Sequence, residues 1–122
     1  MKTLLLALMI SSGVHAEIFK INGELMDFKT QDGLLVRNCE KQCLALKSVV
    51  SHKKIDLKKI RKKQTYLGSV GSDVCRLVYE GGSVIGIAEN RDQRAFCVFK
   101  DNSLIELNSL SSYLKEKKIV TE

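Results

Sequence analysis

Residues 73–103 constrain this chain more than any other stretch, because they string a helix, a glycine stop and a hairpin between two cysteines. Cys75, Leu77, Val78 and Tyr79 read as a helix, and Ser72 or Asp73 is placed to cap the start. Gly81 is expected to end that helix as a C-cap. Val84, Ile85 and Ile87 then read as a strand, residues 89–93 as a polar turn, and residues 95–99 as the returning strand, with Cys97 and Phe99 on one face. A turn at Asp101-Asn102 passes into Leu104, Ile105 and Leu107. A closing helix is expected near Ser109, with Leu110, Tyr113 and Leu114 on one side and Lys115, Lys117 and Lys118 in its last turns, where the helix dipole favours cations.

The first residues carry a different message. One lysine, Lys2, precedes the apolar run Leu4, Leu5, Leu6, Ala7, Leu8, Met9 and Ile10, and Val14-His15-Ala16 supplies the small residues of a cleavage site. These are the parts of a secretory signal peptide, and the run is too short to span a bilayer. Cleavage is expected after Ala16, which leaves 106 of the 122 residues as one free, secreted or periplasmic domain, residues 17–122. Possible halves are 17–67 and 72–122, with Gly68-Ser69-Val70-Gly71-Ser72 as the joint. No cysteine follows the cleavage point to carry a lipid anchor. The absence of any Asn-x-Ser/Thr triplet leans away from a glycosylated secretory protein.

Residues 17–38 show the two-residue period of strands. Asn22-Gly23, the pair best suited to a type I′ turn, separates two of them, and Gln31-Asp32-Gly33 turns into Leu34, Leu35 and Val36. The expected arrangement is a three-stranded antiparallel meander. Its last strand is apolar on both faces, which calls for a cover of helix or partner. Cys39, Cys43, Leu46 and Val50 then fall on one helical face behind Asn38 as N-cap. The fold class is therefore α+β: antiparallel hairpins and a meander packed with short helices and stabilised by disulfides.

Four cysteines behind a signal peptide favour disulfides in an oxidising compartment. A zinc site would ask for two close pairs, and only Cys39 and Cys43 are close. Three pairings exist; Cys75 with Cys97 and Cys39 with Cys43 is preferred, and a set crossing the two halves is its rival.

The formal charge of +6 becomes +5 when Lys2 leaves with the signal, which favours acidic partners. Lys53, Lys54, Lys58, Lys59, Arg61, Lys62 and Lys63 stand against a lone Asp56, which is placed to cap a short helix through Gln64. The run is a candidate patch for an acidic protein or anionic envelope component. Nucleic acid is disfavoured by the exported location and by the lack of aromatic residues for stacking. A membrane surface is the alternative, with Ile55, Leu57 and Ile60 as a thin apolar stripe.

Cys75, Gly81-Gly82 and the run Cys97-Val98-Phe99-Lys100-Asp101-Asn102-Ser103 resemble a family of small bacterial exported domains of unknown function labelled haemolysin-like. The match covers about a quarter of the chain. Asn102 stands where that family carries glycine, the gap from Cys75 to Gly81 is longer, and no tryptophan follows the third strand. The resemblance implies a bacterial envelope protein with a Cys75 to Cys97 bridge, and a membrane-active factor as the function to weigh against simple binding.

No catalytic constellation stands out. The sole histidine left after processing, His52, sits in a basic loop, the cysteines read as oxidised, and Asp27, Asp32, Glu89, Asp92 and Glu106 fall on turns and strand edges. The expectation is a non-catalytic secreted or periplasmic binding module, of inhibitor or adaptor type, with no cofactor and no metal.

Overall fold

The computed structural model describes residues 16–37, 43–51, 54–62 and 68–121. Residues 1–15, with the expected leader, lie outside the described residues, and Ala16 opens the first strand.

Three strands, β1 (Ala16–Ile21), β2 (Glu24–Gln31) and β3 (Leu34–Arg37), form the expected meander. Both connections are two-residue turns, Asn22-Gly23 at φ 53° and 81° and Asp32-Gly33 at φ 53° and 84°. Positive φ at both centres matches the twist of the flanking strands, and these residue pairs accept it. After α1 (Leu44–Val50), β4 (Ile55–Asp56), α2 (Leu57–Ile60) and α3 (Val70–Leu77) comes a second meander, β5 (Gly82–Ala88), β6 (Gln93–Val98) and β7 (Leu104–Glu106). The helix α4 (Leu107–Glu116) and the short β8 (Val120–Thr121) follow.

The α+β class holds, but an open meander beside a hairpin does not. The strands close into a six-stranded barrel in the order β1-β2-β3-β7-β6-β5. Two long-range antiparallel seams close it: Lys20 opposite Ile87 joins β1 to β5, and Val36 opposite Ile105 joins β3 to β7. The physical reason is the edges. A three-stranded meander leaves two rows of unpaired N–H and C=O groups, and two meanders of matching length satisfy each other's.

Closure creates two cores. Inside the barrel, Phe19, Ile21, Phe28, Leu35, Phe96 and Leu104 are buried. The three phenylalanines meet with centroids 4.7–5.6 Å apart, Phe19 edge-on to both Phe28 and Phe96. The second core lies between the outer face of β3, β6 and β7 and the helices, where Leu34, Val36, Cys97 and Ile105 meet Val74 and Cys75 of α3, Leu110 and Leu114 of α4, and Val49 of α1. The apolar run Leu34-Leu35-Val36 is thereby explained: Leu35 fills the barrel while its neighbours face the helices.

Helix ends depart from expectation in three places. Ser69, not Ser72 or Asp73, caps α3, its hydroxyl accepting from the Ser72 N–H at 3.1 Å. Glu80 takes the left-handed conformation after α3 at φ 55°, and Gly81 serves packing instead: a Cβ there would lie 2.7 Å from Cys97 Sγ and 3.0 Å from Cys75 Sγ. In α1 the N-cap is Cys43; Ala45 and Val49 are buried, Cys43 and Leu46 of the expected stripe also meet that core, and Val50 departs from it, 61% exposed. Asn38 and Cys39 lie outside the described residues. Asp56 does cap its helix, which ends at Ile60 instead of running on to Gln64.

Candidate functional site

The basic run is held out from the core by two apolar anchors. Ile55 and Leu57 are buried, and Asp56 between them accepts the Lys58 and Lys59 N–H groups at 3.0 and 3.4 Å. With every second residue tied down, Lys54, Lys58, Lys59 and Lys62 are left exposed. Lys53 and Lys63 lie outside the described residues.

β8 runs parallel to β4, with Ile55 opposite Val120 and Asp56 opposite Thr121. The Ile55 N–H donates to the Ile119 carbonyl at 2.6 Å, and the Thr121 hydroxyl donates to the Ile55 carbonyl at 3.3 Å. Lys118, at φ 54°, turns the chain out of α4 into this pairing, so Lys115, Lys117 and Lys118 come to the same edge as the run some 60 positions earlier. All three are exposed. Lys117 Nζ sits 5.8 Å from the centre of the Tyr113 ring, close enough for a cation–π attraction. Among the described residues, no lysine of this edge has a carboxylate within 4.0 Å. Exposed like charges together attract a polyanion that approaches within a Debye length of about 8–10 Å.

Arg61 belongs to a different structure. Its Nε lies 2.6 Å from Asp73 Oδ2, and its Nη2 donates to the Gly68 carbonyl at 3.1 Å. Asp73 has no exposed surface and is also met by Arg76 at 3.1 Å and by the Gly68 N–H at 3.3 Å. Arg61 therefore ties α2 to α3. It is withdrawn from the candidate patch.

The cysteines are oxidised where they are described. Cys75 and Cys97 are joined, with Cα atoms 5.9 Å apart, as preferred from the sequence. Cys43 is disulfide-bonded as well, and its Sγ accepts from the Leu46 N–H at 3.3 Å. Cys39 lies outside the described residues.

The Asp101-Asn102-Ser103 turn has a structural task. Asp101 Oδ2 accepts the Leu44 N–H at 2.8 Å and Ser103 Oγ accepts the Ala45 N–H at 3.1 Å, so this turn receives the first turn of α1. Asp101 Oδ1 accepts both the N–H and the hydroxyl of Ser103. Desolvation pushes the Asp101 carboxyl upward, but the bonds from Ser103 and Leu44 outweigh it and hold the group below the usual carboxylate range. Asn102 sits at φ 67°, a conformation that asparagine tolerates better than other side chains.

Two further buried polar groups are committed to the fold. Glu106 caps α4, accepting the Asn108 and Ser109 N–H groups at 2.8 Å each, with Arg94 3.9 Å away. Tyr79 stacks beside Phe99 at 5.7 Å, and its burial, with Tyr113 adding, raises the phenol above its ordinary range. Among the described residues, no cluster of three or more His, Cys, Asp or Glu is placed to hold a metal ion, and no helix is long and apolar enough to cross a membrane.

The fold and site thus define a closed, disulfide-pinned six-stranded barrel that carries its helices on one side and a lysine edge at the β4–β8 pair. Comparison with known protein families, with curated proteins and with solved structures found no match.

The contribution of Lys115, Lys117 and Lys118 to the edge was missed from the sequence. Two-residue strands have no periodicity to read. The only trace is the apolar pair Ile119-Val120 after a lysine run, a pattern that equally fits a helix end.

Proposed function

We propose that this protein is a non-catalytic binding module of the bacterial periplasm or exterior, and that its lysine edge holds an acidic protein or an anionic envelope polymer. The observation that carries this reading is the β4–β8 pair, which merges two lysine-bearing segments remote in sequence into one surface. Arg61 is taken up by Asp73, but among the described residues no carboxylate lies within 4.0 Å of Lys54, Lys58, Lys59, Lys62, Lys115 or Lys118. The disulfides support an oxidising compartment.

The membrane-active alternative depends on Ile55, Leu57 and Ile60 reaching lipid. Ile55 and Leu57 are 4% and 1% exposed, so the stripe is spent on the core and the electrostatic reading is preferred.

Retention on immobilised polyglutamate in a salt gradient tests the assignment. The triple variant Lys58→Glu, Lys59→Glu, Lys117→Glu should elute at distinctly lower salt than Lys29→Glu, Lys47→Glu, Lys100→Glu, which changes net charge equally at exposed positions elsewhere. Equal elution of the two triples would mean that only net charge matters, and the edge would lose its role. Capture from an envelope extract with the intact protein then identifies the acidic partner.

A further inference from the structure

We propose that the outer face of β1, β2 and β5 is a self-docking surface, on which a second copy of this chain seats about a two-fold axis. The barrel interior is sealed, and the helices lie against β3, β6 and β7. On the uncovered side, Ile18, Leu25, Ile85 and Ile87 are 50%, 69%, 54% and 43% exposed. Single exposed apolar residues need no explanation, but these four share one face of three adjoining strands and gather about Lys20, which stands between Leu25 and Ile87, and apolar groupings on folded proteins mark contacts.

The charges on this face say what fits it. Ile18 stands opposite Asp27, and Lys20 opposite Leu25, so the four residues occupy the corners of a square. Apolar side chains lie on one diagonal and opposite charges on the other. Lys20 is flanked on its far side by Ile87. Diagonal neighbours on a sheet are about 7–8 Å apart, and Lys20 and Asp27 form no ion pair within 4.0 Å, with each other or with any other described residue.

A two-fold axis lying in the contact plane along the Ile18–Leu25 diagonal exchanges the other two corners. It sets Lys20 over Asp27 of the second copy and Asp27 over Lys20 of the second copy, while Ile18 stacks on Ile18 and Leu25 on Leu25. An isologous interface needs this property: residue i meets j, and j meets i. The acid within the patch and the lack of aromatic residues on it favour this occupant over an anionic lipid surface.

Sedimentation equilibrium of the purified protein over a concentration series tests the proposal. A reversible monomer–dimer equilibrium is expected. Lys20→Asp and Asp27→Lys should each raise the dissociation constant at least about tenfold, because each sets like charges face to face twice. An equimolar mixture of the two variants should recover the dimer, since every such contact then joins opposite charges. All four positions are exposed, so circular dichroism and melting of the variants should match the parent protein. A parent protein that stays monomeric throughout, single variants that dimerise as the parent does, or a mixture that fails to recover would each overturn it. So would a monomer that floats with phosphatidylglycerol vesicles in a manner abolished by Leu25→Glu.

Discussion

A carboxylate with no exposed surface has to be answered by cations, and Asp73 is answered by Arg61, by Arg76 and by the Gly68 N–H. Removing the acid would leave Arg61, only 20% exposed at its side chain, facing a buried gap. Asp73→Ala should therefore cost about 3–5 kcal/mol, read as a large fall in melting temperature, whereas Arg76→Ala, at an exposed side chain, should cost far less. A melt of Asp73→Ala within a degree or two of the parent protein would show that the pair is not needed. From the sequence, Asp73 looked like a helix cap and Arg61 like one more cation of a basic run. Both readings were local, and the contact that reassigns the two residues spans 12 positions, with the intervening geometry set by α2 and α3 packing on a common core. Residue type announces that an acid or a base is present; only the tertiary fold decides whether it faces water or an opposite charge.

At the level of elements, strands and turns were far more readable than helix ends. Asn22-Gly23 and Asp32-Gly33 gave both hairpins of the first meander because two-residue turns demand positive φ, and few residue pairs accept it. The start of α1 was not readable, because its first N–H groups are satisfied by Asp101 and Ser103, nearly 60 residues away. That docking carries a pH dependence. The folded carboxyl of Asp101 is held below its ordinary range, so the stabilisation is fully present above the unfolded value near 4 and is lost as pH falls through the folded one. Protection of the Leu44 and Ala45 amides, taken against the intrinsic exchange rate at each pH, should fall selectively in that acid window while β2 and β6 remain protected. Asp101→Ala should show fast exchange at neutral pH already, with a global cost of only about 1 kcal/mol, since solvent reaches the group. Protection at those two amides that ignores both pH and the substitution would remove Asp101 from its place as the support of α1.

For the molecule as a whole, the sequence suggested two halves, 17–67 and 72–122, and the barrel shows what they are to each other. Each supplies three strands, and they enter the ring in opposite senses, so β2 corresponds to β6 and not to β5. Spacing from Gly23 to Cys39 and from Gly81 to Cys97, which coincides in the sequence, matches β2–β3 against β5–β6 and is not the symmetry of the fold. Barrel closure was unreadable because period-two alternation says which side chains face inward but not whether the outer edges meet. The interior core makes a clear demand: Phe19 and Phe28 come from one half and Phe96 from the other. Residues 17–67 and 68–122 expressed separately should each lack a cooperative thermal transition, and mixing them should restore one. A sharp melt in either fragment alone would show that the halves are independent.

The ring order also sets a timetable. β1 must find residues 86–88 and β3 must find residues 104–105, so both seams wait on chain made more than 60 positions later. A newly made first meander stands with both flanks open and Phe19 and Phe28 uncovered, ready to pair with whatever strand arrives first. Pairings this distant are slow to form. The interval between the third strand and the fifth is where this protein is most exposed to misassembly.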